Sequence, residues 1–197
     1  MKRVALFGGS FDPVHNAHLA LARAALDALA LDEVRWIPVG QPWQKARSIT
    51  PAVHREAMLL LALDSAPRQV VDCIEIERAG PSYTLDTVRS LAAAEPATAW
   101  VLLIGQDQYA GLHTWNGWRE LLARVTLAVA RRPGAPQTVN PDVERAGYHA
   151  VPLPMMDVSA TDIRARVAAG RDISDLVPAA VAGYIARHGL YRLPDRS

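Results

Sequence analysis

The chain of 197 residues has a single cysteine, Cys73, so no disulfide can close within it. That fits a reducing compartment, and the cytoplasm is the expectation. Cys73 lies in the stretch Val70-Val71-Asp72-Cys73-Ile74 and reads as a buried small hydrophobe rather than a nucleophile. No apolar run approaches the ~20 residues of a membrane helix. The basic start Met1-Lys2-Arg3 leads into an apolar run too short for a signal peptide. An excess of one charge is missing too: 21 Lys and Arg stand against 20 Asp and Glu, a formal net charge of +1. This balance gives no argument for a long nucleic-acid partner or a membrane surface. There is no internal repeat and no low-complexity block. Two familiar phosphate loops, G-x-x-x-x-G-K-[ST] and G-x-G-x-x-G, do not occur.

What is present alternates. Apolar runs near 3–8, 33–39, 70–76, 99–104, 125–131 and 149–153 read as strands. Helix-period segments lie near 17–30, 51–64, 84–94, 115–123, 160–169 and 177–188. Such alternation predicts an α/β fold, a parallel sheet with helices on both faces, within a single domain over 1–197. Proline-punctuated stretches at Pro42–Pro51 and Pro133–Pro141 read as long loops. Ligands of such sheets sit at the carboxyl ends of the strands.

The first strand runs into Gly8-Gly9-Ser10-Phe11-Asp12-Pro13-Val14-His15-Asn16-Ala17-His18 and then into a helix. Glycines let backbone approach a ligand closely, and a helix N-terminus offers N–H groups and a positive dipole end to an anion. Two imidazoles beside such a turn point to a phosphate site that performs chemistry. A zinc site fails on ligand count, because no cysteine or carboxylate cluster accompanies His15 and His18. A second constellation is Val158-Ser159-Ala160-Thr161-Asp162-Ile163-Arg164. Ser159 and Thr161 are natural helix caps; their hydroxyls can also donate to phosphate, and Arg164 adds a forked cation. Gly105-Gln106-Asp107 follows a strand, which suits Asp107 to ribose hydroxyls. Trp115 offers a face for stacking on a flat heteroaromatic ring.

The opening stretch resembles GGxFDPxHxGH, the signature of the nucleotidyltransferase superfamily, and its FDPxH wording resembles the nicotinate mononucleotide adenylyltransferases. Ala17 stands where that family has glycine, and a small backbone shift is the expectation. Residues 158–164 are similar to the family's ISSTxIR, with Val158 and Ala160 as departures. Pro81-Ser82-Tyr83-Thr84-Leu85-Asp86-Thr87 matches PSYTxDT, Gly105 and Asp107 match GxD, and Arg132-Pro133-Gly134 matches an RPG turn. Gln41-Pro42-Trp43-Gln44-Lys45 occupies the place of PPHK, keeping the lysine and losing the histidine.

The resemblance implies a Rossmann-like nucleotidyltransferase fold and transfer of AMP from ATP to nicotinate mononucleotide. It further implies His15, His18, Lys45 and Arg164 as catalytic. ATP would be held by Gly8, Gly9, Ser10, Phe11, His15, His18, Gly105, Asp107, Ser159, Thr161 and Arg164. The mononucleotide would meet Ser10, Phe11, Lys45, Tyr83, Thr84, Trp115 and Arg132. Mg2+ is expected with ATP, on phosphates and water rather than on side chains. Three rivals stay open: phosphopantetheine as acceptor, nicotinamide mononucleotide as acceptor, and a nucleotide-binding regulator without catalysis.

Overall fold

The computed structural model describes residues 1–41, 49–131, 139–152 and 156–193. Among them a six-stranded sheet runs in the order β3-β2-β1-β4-β5-β6, and every pairing is parallel. The strands are β1 (Lys2–Gly9), β2 (Glu33–Pro38), β3 (Gln69–Val71), β4 (Thr98–Gly105), β5 (Thr126–Arg131) and β6 (His149–Pro152). Period-2 geometry explains their unbroken apolar runs, because both faces are covered. Ala5, Phe7, Val101 and Leu103 point to one face, where they meet α1 (Asn16–Ala28), α2 (Ala52–Leu63), α8 (Ala160–Ala168) and α9 (Ala179–Arg187). Val4, Leu6, Leu102 and Ile104 point to the other. That side is covered by α4 (Thr84–Ala94), α5 (Gln106–Ala110), α6 (Trp118–Arg124) and α7 (Pro141–Ala146). The expected fold class is the one observed.

The run read as a strand over 70–76 is a correction. Pairing stops at Val71, and Ile74–Glu77 forms a short helix, α3. Asp72 is the cause: its Oδ1 accepts the Ile74 N–H at 3.0 Å, an Asx turn that ends a strand. The helix read near 115–123 starts only at Trp118, after a 3-10 turn over Leu112–Thr114 and Gly117 in the left-handed region. Besides α3, two further α-helices lie where the sequence reading places none. For α7 the signal was present, since Asn140 caps it and Pro141 opens it; α5 begins directly at the end of β4. The loops expected over 42–51 and 133–141 fall largely outside the described residues.

In this strand order the chain leaves β1 toward β2 and leaves β4 toward β5. A crevice therefore opens between the carboxyl ends of β1 and β4, at Gly9 and Gly105.

Candidate active site

The glycine turn folds tightly over that crevice. An added Cβ at Gly9 would lie 2.9 Å from the Phe11 ring, whereas at Gly8 it would meet nothing within 4 Å. Phe11 takes a φ of 46°, in the left-handed region, and its ring turns back into the core against Phe7 and His18. Phe11 as a whole is only 1% exposed, so its ring shapes the turn from within the core.

Helix α1 begins at the histidine pair. The His15 N–H donates to His18 Nδ1 at 3.2 Å, so a neutral His18 carries its proton on Nε2 and presents that atom as donor. The two rings stack with centroids 3.6 Å apart. His15 is 7% exposed, and burial pushes its pKa down to about 4. It is therefore a neutral hydrogen-bonding ring at neutral pH, not a cation. The amide of Asn16, the first of the helix, is spent on the Leu176 carbonyl at 2.9 Å. Imidazoles rather than that amide are what this helix start offers to an anion.

Arg164 brings the second motif to the first. From α8 its Nη1 donates to the Asp12 carbonyl at 2.6 Å, and its Nη2 donates to Thr161 Oγ1 at 3.1 Å. Ser159 Oγ accepts the Asp162 N–H at 3.1 Å, capping α8. Both hydroxyls act as acceptors in these bonds and keep a proton to donate. Asp12 is a hub. Its carboxylate accepts from Tyr191 Oη at 2.8 Å and from the Thr50 amide at 3.4 Å. Burial works to raise its pKa, but the bonds from Thr50 and Tyr191 and the Arg164 charge bring it below the ordinary value.

A residue the sequence reading missed holds the turn from beneath. Arg55, 1% exposed, donates to the carbonyls of Ser10, Val39 and Thr50 at 3.0, 2.7 and 2.8 Å. The signal was there, since Arg55 shares the core phase of α2 with Met58, Leu59 and Leu63. An arginine at a core position needs a reason.

Beside Gly8, Gly9 and Ser10 lies a cavity of about 140 Å³. Trp115 and Thr84 line it, as do Leu6, Ile37, Leu102 and Ile104. Tyr83 stands at the position just before α4, without a capping bond from its side chain, and Thr84 is the first residue of the helix. Gly105 precedes α5, its amide donating to Gln108 Oε1 at 3.0 Å, and Asp107 is exposed in the first turn. Ser82 and Thr87, from the stretch that matches PSYTxDT, also line the cavity, as do Glu75 and Gln108, which the sequence reading did not single out. Lys45 and Arg132 lie outside the described residues. Cys73 is half-buried beside α3 rather than fully buried. Burial, with acidic neighbours, pushes its thiol up to about 12, which leaves no thiolate at neutral pH.

Comparison with known proteins gives a consistent result. A cytidylyltransferase-like family model matches residues 6–166. A protein of Methylibium petroleiphilum named "Probable nicotinate-nucleotide adenylyltransferase" is 50% identical, over 98% of this chain and 94% of its own. One of the same name from Bordetella petrii is also 50% identical, over 98% of this chain and 100% of its own. Among solved structures, the Plasmodium falciparum nicotinic acid mononucleotide adenylyltransferase complexed with NaAD aligns with a TM-score of 0.81. At 18% identity, over 97% of this chain and 98% of that one, the likeness speaks to the fold.

Proposed function

The chain belongs to the nicotinate-nucleotide adenylyltransferases of the cytidylyltransferase-like family, and from this we propose that it moves AMP from ATP to nicotinate mononucleotide. The products are nicotinate adenine dinucleotide and pyrophosphate, a step of NAD biosynthesis. The observation that carries the reading is the Arg164–Asp12 bond, which joins two phosphate-type motifs 152 residues apart at the sheet's crevice. Residues 1–197 act as one nucleotidyltransferase domain, and the cytoplasm is its compartment. Among the described residues no helix is long and apolar enough to cross a membrane.

The nucleophile is the mononucleotide's 5′-phosphate, largely dianionic at pH 7 because its second pKa is about 6. No general base is needed, so the protein's task is to hold two polyanions in line and offset the charge that grows on the leaving group. His18 donates from Nε2 to the α-phosphate and His15 donates as a neutral ring to the triphosphate. Arg164 and Lys45 bring positive charge to the β- and γ-phosphates. The backbone of Gly8, Gly9, Ser10 and Phe11 lets both substrates approach closely. Ser159 and Thr161 donate their hydroxyl protons to ATP, and Gly105 and Asp107 hold its ribose. Trp115 stacks on the pyridine ring, Tyr83 and Thr84 read its carboxylate, and Arg132 reaches the mononucleotide phosphate.

Magnesium bound with ATP would be held by phosphate oxygens and water rather than by side chains, and would supply positive charge against the departing pyrophosphate. Among the described residues no group of three or more His, Cys, Asp or Glu is placed to hold an ion by itself.

The test is magnesium-dependent pyrophosphate release from ATP, with nicotinate mononucleotide, nicotinamide mononucleotide and phosphopantetheine in parallel. Preference for the first is expected. His18→Ala, folded by circular dichroism, should turn over about 100-fold more slowly, the scale of losing one transition-state donor. A near-wild-type rate would remove His18 from the chemistry.

A further inference from the structure

The cavity beside the glycine turn has two unlike sides. Leu6, Ile37, Leu102, Ile104 and Trp115 give it apolar walls, while Glu75, Ser82 and Thr87 make a polar one. Among the described lining residues Glu75 alone carries an ionisable side chain, and it is 7% exposed. Its Oε1 accepts from Thr87 Oγ1 at 2.8 Å, and Ser82 bonds to it as well. The Thr87 oxygen in turn accepts from Arg78 Nη2 at 3.2 Å. Two charges bear on Glu75: Arg78, from the segment before α4, and Asp72, from the turn before α3. The strands bring only apolar side chains and the glycine turn to this cavity.

With the pyridine ring assigned to this cavity, a ring that carries a carboxylate meets a wall that already holds a carboxyl group, with Arg78 behind Thr87 rather than among the lining residues. Like charges in such a site cannot both ionise at low cost. We propose that Glu75 is a specificity-determining residue of the pyridine pocket, admitting a carboxylate-bearing ring when its own carboxyl is protonated and favouring a carboxamide-bearing ring when it is ionised. The inference rests on the assignment of this cavity to the pyridine ring. A neutral carboxyl can donate a hydrogen bond, whereas a carboxylate can only accept one, as from an amide NH2. Burial raises the Glu75 pKa above the ordinary carboxylate range, against the pull of Thr87 and Arg78. The neutral form therefore persists to higher pH than on an exposed glutamate.

The experiment compares kcat/KM for nicotinate and nicotinamide mononucleotides between about pH 5 and 9, in wild type and Glu75→Gln. The pyridine and phosphate chemistry common to both acceptors cancels in the ratio. In wild type the nicotinate-to-nicotinamide ratio should fall about tenfold per pH unit above the Glu75 pKa. In Glu75→Gln it should be flat. Calorimetry of the wild type in buffers of differing ionisation enthalpy adds a reading that needs no variant: binding of the nicotinate ligand should take up more protons than binding of the nicotinamide one. A flat wild-type ratio, the same pH dependence in both proteins, or equal proton uptake for the two ligands overturns the inference alone. Inactivity of the wild type with both mononucleotides overturns the adenylyl-transfer reading and the inference with it.

Discussion

Histidines beside phosphates are commonly read as cations, yet burial holds the His15 pKa at about 4, below its ordinary 6.5. The folded state therefore binds fewer protons than the unfolded chain across that interval, and acid favours unfolding. The stabilisation is fully present above about pH 6.5 and is lost as pH falls toward about 4, a span worth about 3 kcal/mol. Urea unfolding across that range should show wild type losing about this much more stability than His15→Gln. Parallel curves would mean that the imidazole is accessible to protons in the folded state. Arg55 makes the complementary point. Its place in α2's apolar period marks it as buried, but its three carbonyl partners belong to other segments.

Helices and strands were legible wherever a periodic run carried its own boundary. The start of α4 at Thr84 and the apolar runs of β1 and β4 follow from pattern alone. The strand read into 72–76 failed because one side chain, Asp72, offered the backbone a local alternative to pairing. Helix α8 is where a local signal and the site coincide. Ser159 caps it through the Asp162 amide, and the same helix start carries Thr161 and Arg164 toward the glycine turn. Ser159→Ala should cost about 1 kcal/mol in chemical denaturation, the ordinary worth of a serine cap. No change in the midpoint would show that the helix start is held by Arg164 and packing instead.

Across the whole molecule, the segment from Asp175 to Tyr191 closes onto residues 12–16. Tyr191 bonds Asp12, and the Asp175 and Leu176 carbonyls accept from Asn16. Burial and the neighbouring Asp12 carboxylate push the Tyr191 phenol pKa up, which keeps its proton in place as a donor. Tyr191→Phe removes that donor from a buried carboxylate and should cost about 1–3 kcal/mol in the urea midpoint. An unchanged midpoint would mean that another donor, or water, reaches Asp12.

The sequence by itself determined the alternation of strands and helices, most of their boundaries, the glycine turn with its histidine pair, and the serine cap of α8. These rest on forces that act within about four residues: side-chain period, capping and turn preference. Only the tertiary structure decided that His15 is neutral, that Arg55 braces the turn, that Glu75 stands in the cavity wall, and that Arg164 and Tyr191 meet at Asp12. Those outcomes depend on burial and on hydrogen-bond partners as far as 179 residues away. Desolvation and hydrogen bonding are set by which atoms surround a group, and no local pattern in the chain encodes that arrangement.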